Sequence, residues 1–223
     1  MALILNIETA TKNCSVSLAV NAKIITIKQE INENYSHAEK LNVFITELFQ
    51  NNKYSIKDLD AVAVSKGPGS YTGLRIGVST AKGLCYALGI PFISVSTLKA
   101  MAFGMAKKED SDLYCPMIDA RRMEVYNAFF DQMNNEIRGV QADIINKDSY
   151  KNKLENKVLF FGDGAFKCKK IIKHKNARFI DGVFPSSEYM STFSSQKFEK
   201  KEFEDIAYFE PFYLKDFVAG KKS

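Results

Sequence analysis

Lys66-Gly67-Pro68-Gly69-Ser70-Tyr71-Thr72-Gly73-Leu74-Arg75-Ile76-Gly77 decides how this chain folds. The apolar run Ala61-Val62-Ala63-Val64 ends at it, and the helical spacing of Leu74, Val78, Ala81, Cys85 and Leu88 begins inside it. The stretch is therefore the turn between a buried strand and a helix. Gly67 and Gly69 give backbone freedom, Pro68 stiffens the turn, and Ser70 or Thr72 caps the first free amides. Free amides at a helix start attract phosphate, which makes Gly67, Gly69 and Ser70 candidate phosphate residues. The same glycines also let a helix pack tightly on a sheet, and the spacing is neither P-loop nor Rossmann.

Upstream, residues 3–7 form a short apolar run, Cys14-Ser15-Val16-Ser17-Leu18-Ala19-Val20 alternates with period two, and residues 23–30 alternate around Ile25 and Ile27. Polar turns such as Asn21-Ala22 join these three strands into an antiparallel meander. A helix over 36–53 follows, opened by the capping-box spacing of Ser36 and Glu39, with Leu41, Phe44, Ile45, Leu48 and Phe49 on one broad face. Then come a strand over 58–66, a helix over 72–88, a strand over 92–95 and a helix from Ser96 or Thr97 through 101. This order resembles the ribonuclease-H-like unit of the sugar kinase, Hsp70 and actin superfamily, in which two units stand in tandem. The expected class is α/β, with a first unit over 1–106 that carries the helix pair.

The charged stretch 107–112 marks the boundary. Strands are expected over 113–118, 123–130, 139–145, 157–161 and 177–180, with a turn or short helix over 148–152 and a helix over 165–174. They make 107–223 a smaller, degenerate echo whose C-terminal stretch packs back on the first unit. Fraying is expected beyond residue 219.

Composition narrows the classes. A chain of 223 residues with 46% hydrophobic and 26% charged residues is an ordinary globular protein of one large or two modest units. No window approaches the roughly 18 consecutive apolar residues of a membrane span. The start turns polar after about six residues and reads as a strand, not a signal peptide. Cys14, Cys85, Cys115 and Cys168 are scattered, which fits reduced, buried thiols in a cytoplasm. The charge of +5 is shared between the halves, with 10 basic and 7 acidic residues through Ala100. It permits an RNA partner without demanding one.

Superfamily kinases hold nucleotide with two Asp-Gly phosphate loops. The first equivalent place here, Asn6-Ile7-Glu8-Thr9-Ala10-Thr11, has a carboxylate in Glu8 and a hydroxyl in Thr9 but no glycine; the second, Asp119-Ala120-Arg121-Arg122, has two arginines where amides should approach. The nucleotide cleft reads as decayed. Arg121 and Arg122 serve alternatively as phosphate ligands, or Asp119 pairs with Arg121 and closes the cleft. Gly162-Asp163-Gly164 reads as a plain turn, and the cationic run from Lys167 to Arg178 as a solvated face, with an RNA patch as the alternative. Only His37 and His174 are available as imidazole ligands, and His37 is followed four residues later by Leu41, so no metal or other cofactor is expected.

The two helices hold more apolar residues than one sheet face requires, and Gly73, Gly77, Ala81 and Gly83 notch the second. Both features point to a partner surface. The candidate partner-binding set is His37, Leu41, Phe44, Ile45, Leu48, Gly73, Leu74, Ile76, Gly77, Thr80, Ala81 and Leu84. Gly77→Arg is expected to remove the partner and leave the fold intact.

Gly67-Pro68-Gly69-Ser70-Tyr71-Thr72-Gly73-Leu74-Arg75-Ile76-Gly77 closely resembles the signature of the TsaB (YeaZ) family. So do Ile7-Glu8-Thr9-Ala10-Thr11, with Glu8 in place of Asp; Ser36-His37; Ile118-Asp119-Ala120-Arg121 with Glu124-Val125-Tyr126; and Pro211-Phe212-Tyr213-Leu214. The resemblance implies a non-catalytic subunit that joins TsaD, and TsaE in a larger assembly, to make threonylcarbamoyladenosine on tRNA. It also implies a helix-pair interface with TsaD and a homodimer when the chain is alone. A working small-molecule kinase or acyl transferase of the superfamily stays open, and so does a metalloprotease.

Overall fold

The computed structural model describes residues 2–32, 37–50 and 52–215. The Ser36 cap and the fraying expected beyond 219 lie outside the described residues. Two five-stranded mixed sheets organise the chain. The first, in the order β3-β2-β1-β4-β5, contains β1 (Leu3–Glu8), β2 (Asn13–Val20), β3 (Lys23–Ile31), β4 (Ala61–Ser65) and β5 (Phe92–Val95). The second, β8-β7-β6-β9-β10, contains β6 (Leu113–Asp119), β7 (Glu124–Asp131), β8 (Glu136–Ile144), β9 (Val158–Phe161) and β10 (Ala177–Ile180). Each has three antiparallel strands followed by two parallel ones. The architecture is two ribonuclease-H-like units of the same topology.

On one face of the first sheet lie α1 (His37–Gln50) and α2 (Tyr71–Leu88). Leu41, Phe44, Ile45 and Leu48 from α1, and Val78, Ala81 and Cys85 from α2, meet Leu5, Ile7, Val62 and Val64 in one core. Each fully buried large aliphatic or aromatic side chain contributes roughly 1.5–3 kcal/mol. Of the two proposed caps, Ser70 is the one used: its Oγ accepts the Gly73 N–H at 3.2 Å. A left-handed Gly89 ends the helix.

The helix α3 (Thr97–Ala106) runs five residues beyond the expected end and is wedged between the sheets. Leu98, Met101 and Met105 pack with Tyr114, Ile118 and Phe130 of the second sheet, while Ala100 faces Ile4, Ala63 and Ile93 of the first.

The second unit departs further from expectation. The helix expected over 165–174 shrinks to α4 (Ala165–Cys168): the Ile171 N–H closes a tighter three-residue turn on the Cys168 carbonyl at 2.9 Å, a carbonyl that also accepts the Ile172 N–H at 2.9 Å, and the regular helix goes no further. The 3-10 turn Ser187–Met190 and α5 (Ser191–Glu199) are elements that periodicity does not reveal. They cover the first sheet on the face away from α1 and α2, where Met190 packs on Ile4, Ala61 and Ala63. Ser15 Oγ meets Ser187 Oγ there at 2.8 Å. All four cysteines are free and buried.

Candidate functional site

A cleft of about 880 Å3 opens between the two sheets. The first unit lines it with Thr11, Lys12, Gly69, Ser70 and Gly73, and the second with Asp119, Arg121, Tyr126, Asp163 and Phe166.

On the first wall the glycine turn leans against the end of β1. The Ser70 N–H donates to the Ala10 carbonyl at 2.7 Å. A Cβ at Gly69 would overlap that carbonyl, one at Gly73 the Thr9 carbonyl, and one at Gly77 the Thr9 Oγ1. These glycines let α2 approach the 9–10 loop closely, and the Ser70 and Gly73 amides are consumed inside the chain.

Three candidate cleft residues are corrected. Glu8, Thr9 and Gly67 stand behind the wall rather than in it. Glu8 is buried, with Oε1 accepting the Ala10 N–H and the Ser65 hydroxyl, each at 2.7 Å. Burial pushes its carboxyl up to about 7, against the pull of those hydrogen bonds. Gly67 sits at a φ of 102°, and its carbonyl accepts the Thr97 N–H at 3.2 Å.

On the second wall, Asp119 does not pair with the Arg121 guanidinium, one of the alternatives the sequence leaves open. Its Oδ1 accepts the Arg121 backbone N–H at 2.7 Å and the Lys167 ammonium at 2.6 Å. Lys167 Nζ also donates to the carbonyls of Arg122 (2.8 Å) and Glu124 (2.6 Å). One member of the cationic run is therefore an internal clasp, not a solvated side chain. No local pattern marks it; only its position one turn after Gly162-Asp163-Gly164 hints at the role. Arg121 and Arg122 take left-handed backbone angles and are exposed. Gly164 is a packing glycine, since a Cβ there would lie 2.9 Å from the Ile118 carbonyl carbon. Asp163 accepts the Asp119 N–H at 3.1 Å, and burial raises its carboxyl to about 6.

Lys167→Met removes a cation from four oxygen acceptors, the fourth being the Arg121 carbonyl at 3.4 Å, and keeps the stem. The expected loss is about 2–3 kcal/mol of unfolding free energy by urea titration, whereas Lys170→Met on the exposed face changes it by about 0.5 kcal/mol at most.

The partner set needs a larger correction. His37, Leu41, Phe44, Ile45 and Leu48 of α1 and Gly73, Leu74, Gly77 and Ala81 of α2 are buried within the chain; Ile76, Thr80 and Leu84 are half-buried. Their apolar periodicity faces the chain's own sheet. His37 Nε2 donates to the Thr11 carbonyl at 2.7 Å, which requires a proton on that nitrogen, and burial lowers the ring's pKa against the pull of that bond. The exposed surface of the pair consists instead of Ala38, Glu39, Asn42, Val43, Thr46 and Gln50 on α1 and Thr72, Arg75, Ser79, Gly83, Tyr86 and Ala87 on α2. Val43 is 48% exposed and Tyr86 84%.

The closing segment 211–215 spans the cleft mouth. The Phe212 N–H donates to the Lys66 carbonyl at 2.7 Å, Tyr213 Oη accepts the Arg75 Nε–H at 3.2 Å, and its ring lies 4.7 Å from that of Tyr71. Lys215 pairs with Glu124 on the opposite unit.

Among the described residues, no group of three or more His, Cys, Asp or Glu is placed to hold a metal ion, and no helix is long and apolar enough to cross a membrane.

A family model described as TsaD, tRNA N6-adenosine threonylcarbamoyltransferase, matches residues 30–219. The tRNA threonylcarbamoyladenosine biosynthesis protein TsaB of Escherichia coli is 31% identical, covering 98% of this chain and 97% of that protein. TsaB of Bacillus subtilis is 33% identical over 63% of this chain and 60% of that protein. The solved structure of YeaZ from Pseudomonas aeruginosa, 22% identical, covers 96% of this chain and 100% of its own with a TM-score of 0.79, and so has the same fold. A second P. aeruginosa structure, described as an uncharacterized protein with similarity to peptidase YEAZ, superposes with a TM-score of 0.82 at 22% identity. The chain therefore belongs to the group that the TsaD model describes and, within it, to the TsaB (YeaZ) family of tRNA threonylcarbamoyladenosine biosynthesis proteins.

Proposed function

We propose that this chain is a non-catalytic subunit that docks TsaD through the outer surfaces of α1 and α2. In that assembly, with TsaE, it supports TsaD in transferring threonylcarbamoyl to tRNA adenosine. The observation that carries the reading is Gly83. It lies inside an 18-residue helix, exposed, with nothing within 4 Å of the position a Cβ would take. Such a glycine costs up to about 1 kcal/mol relative to alanine, and no contact within the chain requires it. A helix of another subunit crossing at that notch, beside Tyr86, Ala87 and Val43, would require it.

The cleft supports the same reading. Two glycine-turn amides are spent on the chain itself, and the Lys167 ammonium occupies the pocket of carbonyls behind Asp119. Isothermal titration of the lone chain with magnesium-ATP is expected to give no saturable heat; micromolar binding would favour the kinase reading, to which the open 880 Å3 cleft gives room.

Gly83→Ala makes the test two-sided. Thermal unfolding is expected to shift upward by the equivalent of about 1 kcal/mol, while affinity for TsaD falls. Stabilisation without loss of affinity would remove the docking role from this face. Without TsaD, the same surface is expected to pair two copies of the chain, seen as a concentration-dependent dimer in sedimentation.

A further inference from the structure

We infer that the outer face of the second sheet is a surface for the phosphate backbone of RNA. Residues 146–181 hold ten basic against four acidic residues, a net +6, while the rest of the chain holds 21 basic against 22 acidic, a net −1. This one segment thus carries a larger net positive charge than the +5 of the whole chain. Folding brings its two halves together. Leu154 and Tyr150 from the first half pack with Cys168 and Ile172 from the second on the same face of the sheet. The Asn176 side chain donates to the Leu154 carbonyl at 2.9 Å, and the Val158 N–H to the Asn176 carbonyl at 2.8 Å.

Internal pairing explains only part of this charge. Lys151, Lys167, Lys169 and Arg178 are matched by Asp148, Asp119, Asp181 and Glu109. Among the described residues, the exposed Lys157, Lys170, Lys173 and Lys175 are in no ion pair. Unpaired like charges held on two adjoining loops repel one another, and a polyanion that releases its counterions relieves that repulsion. An aromatic ring stands at the edge of the surface. Phe166 is 62% exposed, lines the cleft, and has Lys170 Nζ 5.9 Å from its centroid. An exposed ring beside lysines is a platform on which an unstacked base can lie. The partner this chemistry fits is a folded RNA. The inference rests on the proposed place in a tRNA-modifying assembly.

The test measures binding of an unmodified tRNA transcript by fluorescence anisotropy across a salt series. It compares the native chain, the triple variant Lys170→Glu/Lys173→Glu/Lys175→Glu, and a control with the same charge change elsewhere, Lys57→Glu/Lys99→Glu/Lys200→Glu. The triple is expected to weaken binding at least about tenfold at low salt and to reduce the log–log salt slope by about 2–3, with the control close to native. Phe166→Ala is expected to weaken binding without changing the slope. Equal loss in triple and control would overturn the inference. So would an absence of tRNA binding at low salt, or binding only to anionic phospholipid vesicles. TsaD capture by each variant is measured in parallel: if it persists while tRNA binding is insensitive to the lysines, the inference fails and the docking role stands.

Discussion

Gly77→Arg is expected to yield no soluble folded protein, while Gly83→Arg, six residues along the same helix, melts at or slightly above the native temperature and loses TsaD. The first position is buried, and even a Cβ there would overlap Thr9 Oγ1, whose side chain is itself buried. Adding a long cationic chain overpacks the α2–β1 contact and buries a charge without a partner. Together these cost more than about 5 kcal/mol, comparable to the whole stability of many domains. The expectation that Gly77→Arg spares the fold is therefore reversed by the geometry. At Gly83 the added chain projects into open space. Circular dichroism melting separates the two variants, and size exclusion with TsaD reports docking. A Gly83→Arg chain that still co-elutes with TsaD would place the interface on another face.

Glu8→Gln is expected to make the protein more stable at pH 8 by about 3 kcal/mol and to change little near pH 4. Burial holds the Glu8 carboxyl at about 7, above its ordinary 4.5. Between those values the folded chain keeps a proton that the unfolded chain has released. The stabilisation is therefore fully present below pH 4.5, falls as pH rises, and is gone above about pH 7. At roughly 1.4 kcal/mol per pH unit, the span amounts to about 3 kcal/mol. Glutamine keeps the oxygen that accepts from Ala10 and Ser65 and carries no charge to desolvate. Asp163, raised from 3.8 to about 6, adds a slope of the same sign over a lower window, and it remains in the variant. Urea titrations at several pH values from 4 to 8 read the difference directly. A variant whose stability follows the native pH curve in parallel would show that Glu8 ionises freely in the fold.

The strands and the glycine turn were legible because they are local. Period-two alternation locates β2, and the change of period at Leu74 locates the start of α2. What periodicity cannot report is which surface an apolar stripe meets. Leu41, Phe44 and Leu48 read equally well as a partner face or a core face, and the first sheet claims them. The helix α5 escaped for a related reason. It presents Ser191, Ser194 and Ser195 to the interior, small polar residues that permit close packing and leave no apolar stripe to read. Lys167 escaped because its acceptors come from a loop more than forty residues upstream. In each case the deciding contact joins segments distant in sequence, whereas the resemblance to the TsaB family was written in contiguous motifs.

The 211–215 strap has a mechanical consequence. It is bonded to Lys66 and Arg75 on one side and to Glu124 on the other, so widening the cleft would break contacts at one end of it or the other. Arg75 belongs to the same helix on which Gly83 and Tyr86 are exposed, and its guanidinium lies 4.2 Å from the Tyr71 ring and donates to the Tyr213 hydroxyl. A subunit seated on that helix would therefore bear directly on the side chain that anchors the strap across the cleft mouth.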